Sequence, residues 1–141
     1  DITKTGSLSA KKVLLGTFIL ALKNPEFAIV GNDTLNFGTM IPGHPRTIGG
    51  NIDVTNPANK DITFEVEPIE VMTLNGKHLS KPGHSTDDIP KDEILNIKDI
   101  WVSNHDDHEF YISATADPHN TIKKGEYRGE IQVTVTITDS N

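Results

Sequence analysis

Alternating apolar residues mark the C-terminal part of the chain as a long strand. From Tyr127 to Ile137 every second residue is apolar or small, and the residues between them are polar. Successive side chains of a strand point to opposite faces, so this run predicts one buried face and one solvated face. The β-branched residues that dominate it favour strand over helix.

A second apolar run, residues 13–22, lacks this alternation. Apolar residues occupy odd-numbered and even-numbered positions alike. This is typical of a strand that is covered on both faces, and a short helix is the alternative. The run follows Lys11 and Lys12 as a signal-peptide core would, but no clear small-residue cleavage site comes after it. We therefore predict a strand that is buried on both sides.

Shorter runs between these two segments predict further strands, separated by turns rich in Gly, Pro, Asn and Asp. The predicted strands are 34–38, 48–54, 61–67, 69–74, 100–102 and 110–114; the connections are a hairpin-length interval at 56–61, a hairpin turn at Asn75-Gly76, an exposed loop at 77–90, a helical turn at 92–99 and a polar turn at 104–109. Seven or eight short strands of this kind predict an all-β fold, an immunoglobulin-like β-sandwich, as a single domain over residues 1–141.

The charge of the chain narrows the class of partner. The formal net charge is −7 and the isoelectric point is about 5.2. Nucleic-acid binding and anionic membrane surfaces both call for a basic face, so neither is predicted. No apolar run reaches the roughly 20 residues that a membrane-spanning helix needs. The chain contains no cysteine, which excludes disulfides and thiolate metal sites.

Motifs that carry chemistry are missing from the sequence. There is no Gly-x-Ser-x-Gly nucleophile elbow, no His-Glu-x-x-His zinc motif, and neither a Gly-x-Gly-x-x-Gly nor a Walker-type phosphate loop. We therefore predict that the protein is not an enzyme and binds no cofactor.

Two polar clusters contain residue types that bind metals. Residues 105–109 include His105 and His108 among three carboxylates, and residues 83–88 offer oxygen ligands for calcium. Neighbouring residues of a turn rarely converge on one ion, and the second cluster lacks the acidic spacing of an EF-hand loop. We interpret both as solvated turns and predict no metal site, although the sequence leaves open whether His105 and His108 bind one.

Three motifs in the first half and one near the end carry a resemblance to filament subunits. The sequences Leu-Asn-Phe-Gly-Thr at 35–39, Ile-Pro-Gly at 41–43 and Ile-Asp-Val-Thr-Asn at 52–56 resemble the TasA/camelysin-type fibre proteins of bacterial and archaeal surfaces. The segment at 122–131, with Gly125, Tyr127 and Gly129, is similar to the final strand of chaperone–usher fimbrial subunits. The absence of cysteine departs from the disulfide-bonded fimbrial subunits, and the protease label of camelysin has no matching motif here.

The resemblance implies a structural subunit of an extracellular, cell-surface filament, a pilus or biofilm fibre. In such fibres an extended terminal segment of one subunit completes the sheet of the next, and this head-to-tail contact builds an open polymer. The donor implied here is residues 1–22, whose predicted contact residues are Leu8, Val13, Leu15, Phe18, Leu20 and Leu22. The implied partners are identical or related subunits and an assembly chaperone.

Two alternatives remain open at the level of sequence. Residues 13–22 can equally be the first strand of their own domain rather than a donated one. The protein can also be a monomeric Ig-like surface module that binds carbohydrate, calcium or a protein ligand, for which the loop at 77–90 and the turn at 105–109 are the candidate sites.

Overall fold

The chain folds as β-structure throughout the part described here. A computed structural model describes residues 13–24, 26–66, 71–76 and 89–138. Its strands are β1 (Leu14–Leu22), β2 (Ile29–Val30), β3 (Thr34–Met40), β4 (Arg46–Val54), β5 (Ile62–Val66), β6 (Val71–Leu74), β7 (Ile94–Asp106), β8 (Glu109–Asp117) and β9 (Gly125–Ile137). A 3₁₀ turn at Lys91–Glu93 precedes β7, and the described residues contain no α-helix. The predicted all-β class is therefore confirmed.

The nine strands form one curled sheet. Its order is β2-β4-β8-β7-β6-β9-β1-β3, and β5 also pairs with β9. All pairings are antiparallel except that of β1 with β9, which is parallel. The parallel pair places the first described strand beside the last, with Leu14 opposite Gly125 and Leu22 opposite Val133.

The inner face of the curled sheet encloses a single apolar core. Alternate residues of β1, β3, β4, β5, β7, β8 and β9 contribute to it, and all five phenylalanines are buried there. The ring centroids of Phe64 on β5 and Phe110 on β8 lie 4.6 Å apart, and those of Phe18 and Phe37, on the paired strands β1 and β3, lie 6.3 Å apart edge to face. Such pairs contribute about 0.5–1.5 kcal/mol beyond their buried area.

The alternation that predicts the final strand corresponds to burial in β9. Its inward residues from Tyr127 to Val135 are buried at every second position, whereas Ile137, at the end of the run, is 38% exposed. At 13 residues β9 is long enough to pair with β1 on one side and with β6 and then β5 on the other. It is therefore the strand that holds β1, β5 and β6 in one sheet.

Two sequence-based predictions about the connections between strands are wrong. The 56–61 interval is not a hairpin, because β4 pairs with β2 and β8 whereas β5 pairs with β9. The buried Asn56 side chain fixes this interval instead: its amide donates to the carbonyls of Lys60 and Asp107. A helical turn is predicted at 92–99, but only Lys91–Glu93 form one, and the residues from Ile94 onward belong to strand β7.

The polar turn predicted at 104–109 is shorter than expected. Strand β7 continues to Asp106, and only Asp107 and His108 form the turn before β8. The Asn75-Gly76 turn does form, with positive φ at both residues, and the Gly76 N–H donates to the Thr73 carbonyl at 3.0 Å. Residues 77–88, most of the predicted loop, lie outside the described residues.

Strand β1 is expected to contribute strongly to the stability of the core. Replacing the fully buried Phe18 with Ala should lower the free energy of unfolding by about 3–5 kcal/mol, because it leaves a cavity among closely packed rings. The neighbouring Ile19→Ala is the control: Ile19 is 38% exposed, and its truncation should cost below about 1 kcal/mol. Urea unfolding measures both, and equal losses would contradict the burial of Phe18.

Candidate functional site: the seat of the first strand

The first strand lies between two strands from distant parts of the chain. In the parallel pairing β1 runs from Leu14 opposite Gly125 to Leu22 opposite Val133, and on its other side it pairs antiparallel with β3. We call the residues of β3 and β9 that contact β1 the β1 seat. Both backbone edges of β1 are thus used, and its removal would leave two open strand edges.

At the first three inward pairs between β1 and β9 a large side chain lies opposite a glycine. Leu14 lies opposite Gly125, Gly16 opposite Tyr127, and Phe18 opposite Gly129. A Cβ atom built on Gly129 would lie 2.6 Å from the Cε1 atom of Phe18, which is closer than two carbon atoms can pack. A slip of one residue would place Phe18 on the outer face, and a slip of two would place it opposite Tyr127 or Ile131 instead of Gly129, so the seat favours this register.

The core also leaves no space for a side chain at position 16 of β1. A Cβ atom on Gly16 would lie 2.8 Å from the Cε atom of Met40 and 3.0 Å from that of Met72. Any larger residue at this position would have to displace both methionine methyl groups from the core. Glycines on both strands thus leave room for the large side chains around them.

The outer face of β1 is apolar but is not covered. Val13, Leu15 and Ile19 are 39%, 41% and 38% exposed. The prediction that this strand is buried on both sides is therefore wrong for the chain by itself: the sheet covers the inner face only. We call these three residues the outer row.

A shallow cavity of about 220 Å³ lies beside the outer row. It is lined by residues of β1, β3 and β9, namely Leu15, Thr17, Asn36, Gly38, Glu126, Tyr127 and Arg128. Apolar side chains and the charged side chains of Glu126 and Arg128 meet in it.

The predicted donor residues fall into two groups. Phe18 and Leu20 are buried in the core, and Leu22 is partly buried against it. Val13 and Leu15 belong to the outer row. Leu8 lies outside the described residues.

Sequence reasoning missed two parts of this site. Leu14 is fully buried in the core but is absent from the predicted donor residues. Gly125 and Gly129 belong to the motif at 122–131, but their position opposite Leu14 and Phe18 of β1 has no signal in the sequence.

A polar network anchors the end of the seat next to Gly125. The hydroxyl of the buried Tyr127 donates to the Lys123 carbonyl at 2.6 Å, and the Asp92 carbonyl oxygen lies 3.3 Å from the same hydroxyl. Burial, followed by the charges of Glu93 and Asp92, raises the pKa of Tyr127 to about 12. The Lys123 ammonium bonds the buried Glu93 carboxylate at 3.0 Å, and this bond, with the Asp92 charge, raises the pKa of Lys123.

The polar clusters considered from sequence do not assemble a metal site in the described residues. In the 105–109 turn two carboxylates accept hydrogen bonds from backbone N–H groups. Asp106 accepts from the His108 N–H at 2.7 Å, and Asp107 accepts from the Ile62 N–H at 3.1 Å. The cluster at 83–88 lies outside the described residues.

Comparisons with known proteins do not assign a family to the chain. A scan against protein-family models finds no match, and a search of curated proteins finds none either. Within the described ranges, no helix has the length and apolarity required to cross a membrane. The site must therefore be interpreted from its own geometry.

The fit between Phe18 and Gly129 can be tested by adding one methyl group. Gly129→Ala should lower the free energy of unfolding by about 1–3 kcal/mol, because the new Cβ overlaps the Phe18 ring. Gly50→Ala is the matched control: Gly50 also lies in a strand, and apart from its chain neighbours nothing lies within 4 Å of its Cβ position. Denaturant unfolding compares the two, and an equal effect would show that Phe18 does not occupy this position.

The Tyr127 hydroxyl is expected to give the stability a distinct alkaline pH dependence. At pH 8 Tyr127→Phe should cost about 1 kcal/mol, the contribution of a typical buried hydrogen bond. Because the folded pKa of about 12 exceeds the ordinary value of 10.0, the contribution of the phenol is complete below pH 10.0 and lost as the pH rises to about 12. The gap between parent and variant should therefore narrow over that interval.

Urea unfolding at several pH values from about 8 to about 11.5, spanning the ordinary tyrosine pKa, measures this gap. Tyr111→Phe is the control, since it removes the other tyrosine hydroxyl of the chain from outside the core. A gap that stays constant with pH would contradict the role of the Tyr127 hydroxyl.

Proposed function

We propose that the protein is a structural subunit of an extracellular filament, in which the first strand of one subunit occupies the β1 seat of the next. The observation that carries this proposal is the match between β1 and β9, where large side chains lie opposite glycines in a fixed register. Such a match specifies a strand by shape, and it does not depend on which copy of the chain supplies that strand.

The position of β1 in the chain makes exchange possible. β1 is the first described strand, and the connection at 23–28 separates it from β2. If that connection extends, β1 can enter a neighbour and make the same contacts there. Because each subunit then gives one strand and receives one, the contact is heterologous and forms an open polymer when it does not close into a ring.

In the single chain β1 occupies its own seat, and exchange would replace it with the β1 strand of another subunit. Here β1 pairs with β3 and β9 of its own chain, as the first strand of its own domain would. Our proposal therefore treats this state as the closed monomer. The exchanged state retains the backbone pairing, so the two differ mainly in the conformation of the 23–28 connection and in the entropy of association.

The outer row supports assembly independently of exchange. Three exposed apolar side chains in a row along one strand edge, with Thr17 between Leu15 and Ile19, are suited to burial against a second protein. A neighbouring subunit that covered the outer row would also account for the sequence pattern, in which residues 13–22 are apolar on both faces.

An immunoglobulin-like sandwich is the finer fold that we propose for this subunit. The hydrogen bond from the Tyr127 hydroxyl to the carbonyl four residues upstream resembles a tyrosine corner, a hallmark of such sandwiches. The resemblance to fibre and fimbrial subunits agrees with this fold.

Engineered cysteines can test strand exchange, because the chain has none of its own. Ile19 and Thr34 face each other across β1 and β3 on the outer face. We expect the Ile19→Cys/Thr34→Cys variant, refolded from denaturant at high concentration and then oxidised, to give a ladder of disulfide-linked oligomers on a non-reducing denaturing gel.

The matched control is Thr47→Cys/Thr115→Cys. These hydroxyls lie 2.7 Å apart across β4 and β8, which belong to the body of the domain. The control should give only a disulfide within one chain. If the Ile19/Thr34 variant also gives only a monomer with an internal disulfide, β1 is not exchanged and the filament proposal is overturned.

A recognition module is the second candidate function. Trp101 favours it, because this large aromatic side chain is 50% exposed although the domain has an apolar core. Tryptophan is the residue type most often found at the centre of binding surfaces, where it supplies a large rigid contact area. This function is compatible with assembly, because Trp101 lies on β7 and outside the β1 seat.

A further inference from the structure

Two aromatic side chains lie outside the core and contact each other. The five phenylalanines and Tyr127 are buried, whereas Trp101 is half exposed and Tyr111 is partly buried. Their ring centroids are 5.5 Å apart and the ring planes are tilted by 48°. We call them the aromatic pair; the His105 ring adds an edge contact to Tyr111 at 6.5 Å.

The outer face of β4, β8 and β7 presents this pair. Tyr111 lies opposite Asn51 on one side and Ser103 on the other, and Trp101 lies opposite Ser113. The Tyr111 hydroxyl occupies the space that a Cβ atom on Gly49 would need, so Tyr111 covers a glycine of the neighbouring strand. That packing accounts for Tyr111 but leaves the exposure of Trp101 unexplained.

A β-bulge sets the orientation of Trp101. The pairing of β7 with β8 shifts between Lys98 and Trp101, and Asp99 within the shift has a φ of 54°. A non-glycine residue at positive φ is unfavourable, and bulges often redirect a side chain beside a functional site.

Carboxylates flank the aromatic pair on the same face. Asp53 lies opposite Glu109, and Glu109 lies opposite Asp106, so three acids occupy adjacent strands. Among the described residues none of the three forms an ion pair, although Asp106 accepts the His108 N–H. We call them the acidic row. Lys98, on the same strand as Trp101, is paired with Asp117 at 3.3 Å.

We propose that the aromatic pair binds an arginine-bearing segment of a partner protein. A guanidinium group stacks where the Trp101 and Tyr111 rings meet, and cation–π attraction and apolar contact act together there. The acidic row selects a cation over a neutral ligand, because adjacent like charges repel until a positive group approaches.

The spacing of the site suggests an extended segment with two basic residues. Glu109 precedes Tyr111 by two residues along β8, which corresponds to about 7 Å along a strand. Two side chains at i and i+2 of an extended peptide have the same spacing and the same direction. One arginine can therefore stack on the aromatic pair while the second meets the acidic row.

The single tryptophan of the chain makes the site directly observable. A peptide of sequence Gly-Arg-Gly-Arg-Gly is titrated into the full chain at low salt, and Trp101 fluorescence is recorded. We expect a saturable change that weakens as salt is added. The same peptide with citrulline in place of arginine keeps the shape without the charge and should bind at least about fivefold more weakly.

Variants separate the two parts of the site, with binding measured by calorimetry. Trp101→Ala should weaken binding about fivefold or more, and Asp53→Asn/Glu109→Gln should reduce both affinity and its salt dependence. Glu65→Gln, which changes an exposed acid on β5, is the matched control and should bind like the parent. Circular dichroism verifies that each variant is folded.

Equal binding by the Trp101→Ala variant, equal binding of the citrulline peptide, or no saturable response would overturn the proposal. A fluorescence change with a neutral oligosaccharide but none with the arginine peptide would also overturn it and assign the aromatic pair to sugars. None of these outcomes bears on strand exchange, because the site does not include β1.

Discussion

The contact between β1 and β9 is the constraint on which the rest of the structure depends. It is the one parallel pairing among the described strands, and it joins the first of them to the last. Backbone hydrogen bonds alone would tolerate several registers for such a pair. At the three inward pairs from Leu14 to Phe18 a large side chain lies opposite a glycine, and this match removes the freedom, because the Phe18 ring fills the space that a side chain at position 129 would need.

This constraint also explains why the first strand has two different faces. The inner face is fixed by packing, whereas the outer face keeps apolar residues that the domain does not cover. A protein that needed β1 only for its own core would gain solubility from polar residues at Leu15 and Ile19. In the proposed filament a neighbouring subunit would cover them.

Much of the fold can be predicted from periodicity, and the errors have physical causes. Strand β9 is evident in the sequence because its inner face is buried and its outer face is polar. The hairpin predicted between β4 and β5 is wrong because a short polar interval has the length of a hairpin whether or not its strands pair. The conformation of this interval depends on the buried Asn56 side chain, whose amide donates to the carbonyls of Lys60 and of Asp107, 51 residues away. Such a contact leaves no local pattern.

The candidate sites show the same limit. The inner residues Phe18 and Leu20 of β1 can be named from sequence, but their partners Gly129 and Ile131 cannot, because the parallel register between distant segments depends on the tertiary structure. The aromatic pair has no signal in the sequence, since Trp101 and Tyr111 meet only through the bulge at Asp99. The two sites lie on different strands of the sheet, so a subunit held by its β1 seat would still present Trp101 to a partner. Assembly and recognition are therefore compatible in one small domain, provided that neighbouring subunits leave the outer face of β4, β8 and β7 open.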